Sequence, residues 1–476
     1  MIIKPLFRSS RRDTEFVYDE NYFSIAHSKA CKQSRSNKSE LRLLIINVCN
    51  PLSMGGAAIT SVLVKLLRNN FPNATITLMP SRRKDRDLYL NEYGMKDVAF
   101  VPHLWYDEKY STSSTLIHSA IPALEAFLGL SISNILKKFN STCGNPFDKY
   151  DAILDLNSDA INEHYGLVFP LYTLFNLMLA SMSGKPVIVC PCTIGKFGRP
   201  LRYIAKFVLN RMNLIMVREE IGRRNLRSLG VSKPKIAIVA DLAFLFEPAQ
   251  QKETMAGIRL AELERPIVGI APSQEISRYA FVQSPESPDV KYENYVKLMA
   301  QIADFVIENL NASVILIPQS LSEESTARYR WLDDRIACKR IHASVRNNEK
   351  TKMINEPFRP DELKALIGAC DLFIGCRMHA TIASTSSTVP TVTVAYGEKF
   401  EGIIGRLMGQ QDRIVNIGQD YDAVLDQLKT KILSTWENRD DVRQRLKQKL
   451  KYVQNSSFSA VLLIQESLRK SGLSGW

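Results

Sequence analysis

The sequence predicts an α/β protein of two Rossmann-like domains facing each other across a cleft, followed by a helical C-terminal tail. Three observations carry that reading. Short apolar runs alternate with amphipathic helical stretches twice, from residue 41 and again from residue 266. A polar connection between Pro248 and Pro266 separates the two series. No strand pattern follows residue 420, where the chain becomes amphipathic with helical spacing. Such alternation indicates parallel sheets with helices on both faces.

At 476 residues the chain exceeds what one core usually organises. We divide it into a basic, serine-rich flexible extension (1–40), a first domain (41–250), a second domain (265–420) and C-terminal helices (421–476). The first series opens with the strand LRLLIINVC (41–49), a turn at Met54-Gly55-Gly56 and a helix AAITSVLVKLLRNN. Strand signals follow at 74–80, 151–157, 186–190, 214–217 and 235–241. Helix signals lie at 165–183, near 200–211 and over EEIGRRNLRSLG, where Gly230 is a natural stop. The second series has strands at 266–272, 313–319, 371–376 and 391–396, with NYVKLMAQIADFVIENL and DELKALIGAC as helices between them. Two such halves bind ligands between them, at the C-terminal ends of their strands.

Hydrophobic content of 45% and charged content of 23% are ordinary for a globular protein. The 8 cysteines, Cys31, Cys49, Cys143, Cys190, Cys192, Cys338, Cys370 and Cys376, are scattered and show no disulfide framework. The Cys190-x-Cys192 pair has no second pair at metal spacing, so no metal site is expected. The start, MIIKPLFRSSRRDTEF, lacks an apolar core, so a secretory signal is not expected. Both features favour a cytoplasmic protein. The most apolar stretch, residues 165–182, contains Pro170 and Asn176 and reads as a helix buried against a sheet rather than a membrane span. A net charge of +13 points to acidic partners: phosphorylated or carboxylated substrates, or an anionic membrane surface at the inner face of the cell. Much of that charge lies in the extension, and no nucleic-acid-binding module is recognisable, so nucleic acid is excluded as a partner.

The candidate chemistry concentrates in Ile374-Gly375-Cys376-Arg377-Met378-His379-Ala380. A buried strand runs into Arg377 and His379, and the small residues ATIASTSS then begin a helix. Anions bind at such junctions because free backbone N–H groups point there. Arg377 adds a planar fork suited to carboxylate or phosphate. His379, one of 6 histidines, can move a proton near neutral pH. The strand LIMV likewise runs into Arg218, which would face the cleft from the other side; an ion pair with Glu219, Glu220 or another acid is the bland alternative. Lys399, after the strand TVTVAY, offers a point charge to a phosphate or is merely solvated. Asn157 and Ser158, with Asp159, are placed to hydrogen-bond a sugar or to cap a helix. The turn Asn50 to Gly56 is neither a dinucleotide nor a P-loop fingerprint and reads as a close-approach turn beside the cleft. His103, His118, His164 and His342 have no partners at ligand spacing.

These segments together resemble the polysaccharide pyruvyl transferase family, over roughly residues 41–410. GCRMHATIASTSSTVPTVTVAYGEKFEGI is similar to the family's G-x-R-x-H-A block with its later Y-x-x-K. NLIMVREEIGRRNLRSLG, with VADLAFLF after it, is similar to its R-D/E segment. The resemblance implies a GT-B-like fold and transfer of pyruvate from phosphoenolpyruvate to two hydroxyls of a saccharide, polymeric or lipid-linked, as a ketal. It implies Arg218, Arg377 and Lys399 as phosphoenolpyruvate-binding residues and His379 as the acid/base, with no cofactor. Two turns depart from the pattern. Gly55-Gly56-Ala57 stands where the family carries G-D-E, and Leu156-Asn157-Ser158 replaces a glycine-rich turn. Both belong to the acceptor side. A GT-B glycosyltransferase using a nucleotide sugar, and a catalytically silent sugar-binding protein, are the competing readings.

Overall fold

The Leu-, Ile- and Val-rich runs form two separate, wholly parallel sheets. The computed structural model describes residues 40–80, 83–101, 147–250, 263–322, 333–356 and 358–474. The expected N-terminal extension and most of the expected connection, residues 251–262, fall outside them, as do His103, His118, Cys31 and Cys143.

The first sheet contains β1 (Arg42–Val48), β2 (Thr75–Pro80), β3 (Ala99–Phe100), β4 (Ala152–Asp155), β5 (Val187–Cys192), β6 (Leu214–Val217) and β7 (Lys235–Ile238). Their order is β3-β2-β1-β4-β5-β6-β7. The second contains β8 (Ile267–Ala271), β9 (Ser313–Leu316), β10 (Thr351–Met353), β11 (Leu372–Gly375), β12 (Thr391–Ala395) and β13 (Ile414–Asn416), ordered β10-β9-β8-β11-β12-β13. Strands buried on both faces need near-continuous apolar sequence, and β4, β6, β8, β9, β11 and β12 are buried throughout. β3, β10 and β13 are not apparent in the sequence. All three are sheet edges of two or three residues, too short to show a strand pattern.

In the first half the helices are α1 (Met54–Asn70), α2 (Arg83–Asn91), α3 (Val168–Ser181), α4 (Leu201–Leu209) and α5 (Glu220–Leu229). Gly230 caps α5 at φ 82°, a left-handed conformation that glycine adopts without a Cβ penalty. The second half adds α6 (Pro288–Leu310), α7 (Asp334–Ser344), α8 (Pro360–Gly368) and α9 (Met378–Ser386). α10 (Tyr421–Glu437) and α11 (Arg439–Lys470) form the tail. α11 crosses back to the first half: Lys235 Nζ lies 2.6 Å from Glu466 Oε2, and Ala240 N–H donates to Ser456 Oγ at 3.0 Å. One apolar core joins a face of each sheet with α1, α6, α10 and α11. Two smaller cores lie on the opposite face of each sheet.

In each sheet the strand order reverses at an inner pair, β1/β4 in the first and β8/β11 in the second. Connections diverge there and leave a crevice beyond the strand ends, the usual ligand position in open α/β sheets. The ends of the two sheets meet. Lys399, after β12, pairs with Asp159, after β4, and His379, after β11, approaches Asp241, after β7.

Candidate active site

Strand β6 ends at Val217, and the next residue, Arg218, turns its side chain beneath the cleft, where it is 2% exposed. A buried guanidinium needs its donors satisfied. Nη2 and Nε donate to Thr193 Oγ1 at 2.8 and 3.2 Å, Nη1 approaches Ser158 Oγ at 3.5 Å, and Nη1 also pairs with Asp241. The carboxylate is therefore Asp241, not the sequence neighbours Glu219 or Glu220. Glu220 instead pairs with Arg223 at 2.7 Å.

Asp241 is held from three sides. Its Oδ1 accepts the Ala243 N–H at 2.9 Å, and its backbone carbonyl accepts Ser457 Oγ–H of α11 at 2.8 Å. From the other half, His379 Nε2 lies 3.7 Å from Oδ2. Burial alone would raise the Asp241 carboxyl, but Arg218 and His379 outweigh it and hold the group well below the usual carboxylate range. One buried carboxylate thus joins an arginine of the first half to a histidine of the second.

His379 is the second residue of α9, and its ring rests on the start of α1. A Cβ on Gly55 would lie 2.1 Å from His379 Cγ, so only glycine leaves room for the imidazole. Met54-Gly55-Gly56, expected as a turn before the helix, is instead the first turn of α1, and the close approach there is made by the candidate acid/base.

Arg377, two residues earlier, points elsewhere. Its Nε and Nη2 meet Asp334 at 3.1 and 2.8 Å, and Nη1 meets Glu275. Asp334, fully buried, also accepts the backbone N–H groups of Gln274 and Ser320 at 2.8 and 2.9 Å. Arg377 so ties together the loops after β8, β9 and β11. Lys399 is not a solvated lysine: it is 9% exposed and 2.7 Å from Asp159. Each of the three cations expected to hold an anion is already paired with an acid.

Asn157 and Ser158 are both buried, with Ser158 at φ 60°. Asn157 caps no helix; its Nδ2 donates to Asp155. Asn47 Nδ2 donates to Asp155 Oδ1 at 2.7 Å, and Asn176 Nδ2 to Asn47 Oδ1 at 2.7 Å. Burial pushes the Asp155 carboxyl up to about 7, against these hydrogen bonds. Ser158, by contrast, faces Arg218.

Two further features escaped the sequence reading. His164, Tyr279 and Tyr396 form a ring stack across the halves, with centroids 4.2 and 5.2 Å apart, and Tyr279 Oη–H donates to His164 O at 3.1 Å. Glu219, 4% exposed, lies under Gly402 of the second half, where a Cβ would come within 2.6 Å of Glu219 Cγ. Neither of its oxygens has a partner in full hydrogen-bond geometry. Burial pushes its carboxyl up to about 7, against the pull of Arg218. A carboxyl raised in this way at a cleft is a common feature of functional sites. Only the adjacency of Glu219 to Arg218 hinted at it.

Among the described residues, no group of three or more His, Cys, Asp or Glu is arranged to hold a metal ion. The six described cysteines are free thiols.

Comparison with known proteins gives the family and the fold. The amylovoran biosynthesis protein AmsJ of Erwinia amylovora is 23% identical over 324 residues, covering 67% of this chain and 72% of AmsJ. Two solved structures share the fold. One is a putative UDP-N-acetylglucosamine 2-epimerase from Listeria monocytogenes, with 10% identity, 91% and 97% coverage and a TM-score of 0.56. The other is Anabaena HepE in complex with UDP, with 10% identity, 91% and 100% coverage and a TM-score of 0.53. At such identity the likeness shows the two-domain, GT-B-like fold alone. Residues 54–398 match the polysaccharide pyruvyl transferase family, a span that contains Arg218, Asp241, Arg377 and His379. With most of its length in that match, the chain belongs to the polysaccharide pyruvyl transferase family and is a transferase enzyme.

Proposed function

We propose that the protein transfers pyruvate from phosphoenolpyruvate to two hydroxyls of a saccharide, releasing phosphate and forming a ketal. The observation that carries the reading is the Arg218–Asp241–His379 group spanning the two halves. Arg218 holds Asp241 ionised, and the carboxylate faces the imidazole at 3.7 Å. A protonated His379 gives that proton to the CH2 carbon of the enol as the first hydroxyl adds to C2. The imidazole then takes the hydroxyl's proton. The second hydroxyl displaces phosphate from C2, and its proton leaves with the phosphate. The balance is closed, with no redox step.

The donor carries a carboxylate and a phosphate, and Arg218, Arg377 and Lys399 are the charges assigned to hold them. Because each already has an acidic partner, donor binding exchanges or shares those partners. Lys399 is the readiest, since Asp159 is 26% exposed. Asn157 and Ser158 lie on the acceptor side, and Ser158 reaches Arg218 directly. The acceptor belongs to polysaccharide synthesis, and a lipid-linked saccharide at the cytoplasmic face of a membrane suits the basic chain. No described helix is long and apolar enough to cross a membrane.

The test is incubation with phosphoenolpyruvate, UDP-sugars or GDP-sugars in the presence of saccharide acceptors. Phosphate release and a pyruvylated product from phosphoenolpyruvate alone are expected, and activity should survive EDTA. Nucleoside diphosphate release would replace this reading with a glycosyltransferase. No turnover of any donor would favour a silent sugar-binding protein.

A further inference from the structure

We propose that the first turn of α3 and the outer face of α4 form a docking face for the surface of an anionic lipid bilayer. Eight large apolar side chains are exposed among the described residues, and five of them lie here: Leu167, Val168, Phe169, Tyr203 and Phe207. Solvent-exposed apolar groups are normally scattered singly, so clustering at neighbouring helices marks an interaction surface. The helices are neighbours. Leu171 and Ile204 pack on the same core, and Gly198 N–H donates to Glu163 Oε2 at 3.0 Å, joining the segments that lead into α3 and α4. Both follow parallel strands of one sheet, so both begin at the cleft edge.

The charge along these two segments is mainly basic, the exceptions being Glu163 beside Gly198 and Glu398, which pairs with Lys196 at 2.6 Å. From Lys196 to Val217 the chain contains no Asp or Glu but carries Lys196, Arg199, Arg202, Lys206 and Arg211. From Gly166 to Gly184, through the whole of α3, it contains no charged residue. Tyr203 and Phe207 are four apart on one face of α4, Arg199 and Arg211 flank the helix at its two ends, and all four are exposed. The Arg211 guanidinium sits 3.6 Å over the Phe207 ring, as a cation beside an inserting aromatic would. Aromatic and aliphatic tips in a basic field suit the headgroup layer, where the rings enter the boundary and long basic side chains reach phosphates. The absence of a spanning helix among the described residues makes this peripheral docking.

The face borders the active site. Leu167 follows three residues after His164, whose ring stacks on Tyr279 in the cleft. That docking presents a lipid-linked acceptor to the cleft rests on the proposed function; the docking itself does not.

The experiment is co-sedimentation of the full-length protein with vesicles of phosphatidylcholine alone, or mixed with phosphatidylglycerol. Retention on the anionic vesicles only, weakened by added salt, is expected. Tyr203→Ser with Phe207→Ser should lower the partition coefficient about tenfold or more. Arg199→Glu with Lys206→Glu should lower it similarly, while Tyr452→Ser, on α11, should leave it unchanged. Circular dichroism confirms that the variants fold, and turnover of a water-soluble acceptor should be unaltered. Equal binding to both vesicle types would overturn the proposal. So would binding that survives both double substitutions, since it would then be carried elsewhere, as by the basic residues of the N-terminal extension. Vesicle binding is read without the donor, so failure of the pyruvyl transfer reading would leave this result standing.

Discussion

The two halves build their shares of the active site differently. The second half carries Arg377, His379, Tyr396 and Lys399 on a single stretch that runs from the end of β11 to just past β12. The first half collects Asn47, Asn157 to Asp159, Thr193, Arg218, Glu219 and Asp241 from the ends of five strands. The contiguous side brings Arg377, Lys399 and the histidine; the dispersed side brings Asp159 and Asp241, which meet Lys399 and His379, while Arg377 meets Glu275 and Asp334 of its own half. A local segment can therefore identify the reacting group, but its electrostatic state is set by residues distant in sequence.

If that division holds, His379→Ala should produce the largest defect. Loss of a general acid should lower kcat by about 10² to 10⁴. Donor binding and melting temperature should change little, because the ring is not part of a core. Steady-state kinetics with separate donor binding would check this; a folded variant with wild-type turnover would remove the acid role. Arg377→Lys sharpens the point within the same stretch. The ammonium cannot reproduce the fork on Asp334 and Glu275, so the variant should lose stability as well as donor affinity.

Asp241→Asn strikes the dispersed side. It leaves Arg218 charged and without its carboxylate in a buried site, at a cost of about 3–5 kcal/mol. Thermal and urea unfolding should show it, together with lost activity through the His379 contact. An unchanged midpoint would mean that the Arg218–Asp241 pair does not hold the first half.

Glu219 gives a pH test. Its carboxyl is raised from 4.5 unfolded to about 7 folded. The folded state therefore holds the proton more tightly, and its contribution is full below about 4.5 and lost as pH rises through about 7. Asp155, raised for the same reason, acts in the same direction. Glu219→Gln keeps the neutral form, so it should flatten this slope and stabilise the protein at pH 8 by up to about 3 kcal/mol. Melting temperatures at pH 5 and pH 8 decide it; parallel shifts at both would refute the assignment.

The smallest effect should come from the link between the halves at Lys399 and Asp159. A double-mutant cycle to alanine should return a coupling of about 1 kcal/mol in stability, with a larger rise in donor KM for Lys399→Ala than for Asp159→Ala. Equal KM effects would make the pair a latch rather than a donor contact.

Strand runs, helix periodicity and the stop at Gly230 were legible because buried parallel strands and capped helices impose local patterns. The edges β3, β10 and β13 were not, since two or three residues carry no pattern. The sequence predicts a buried helix over residues 165–182, yet Leu167, Val168 and Phe169 are exposed, because periodicity does not report what covers a face.

By itself the sequence determined the α/β class, the helical tail and the positions of Arg218, Arg377 and His379 at strand ends, all properties of a dozen neighbouring residues at most. Tertiary structure alone decided that Asp241 rather than Glu219 neutralises Arg218, that Gly55 must lack a side chain because His379 lies on it, and that Gly402 shuts Glu219 away from water. Charge pairing, close approach and burial depend on which parts of the chain meet in space: Arg218 and Asp241 come from successive strand ends, and Gly55 with His379, and Glu219 with Gly402, from different halves.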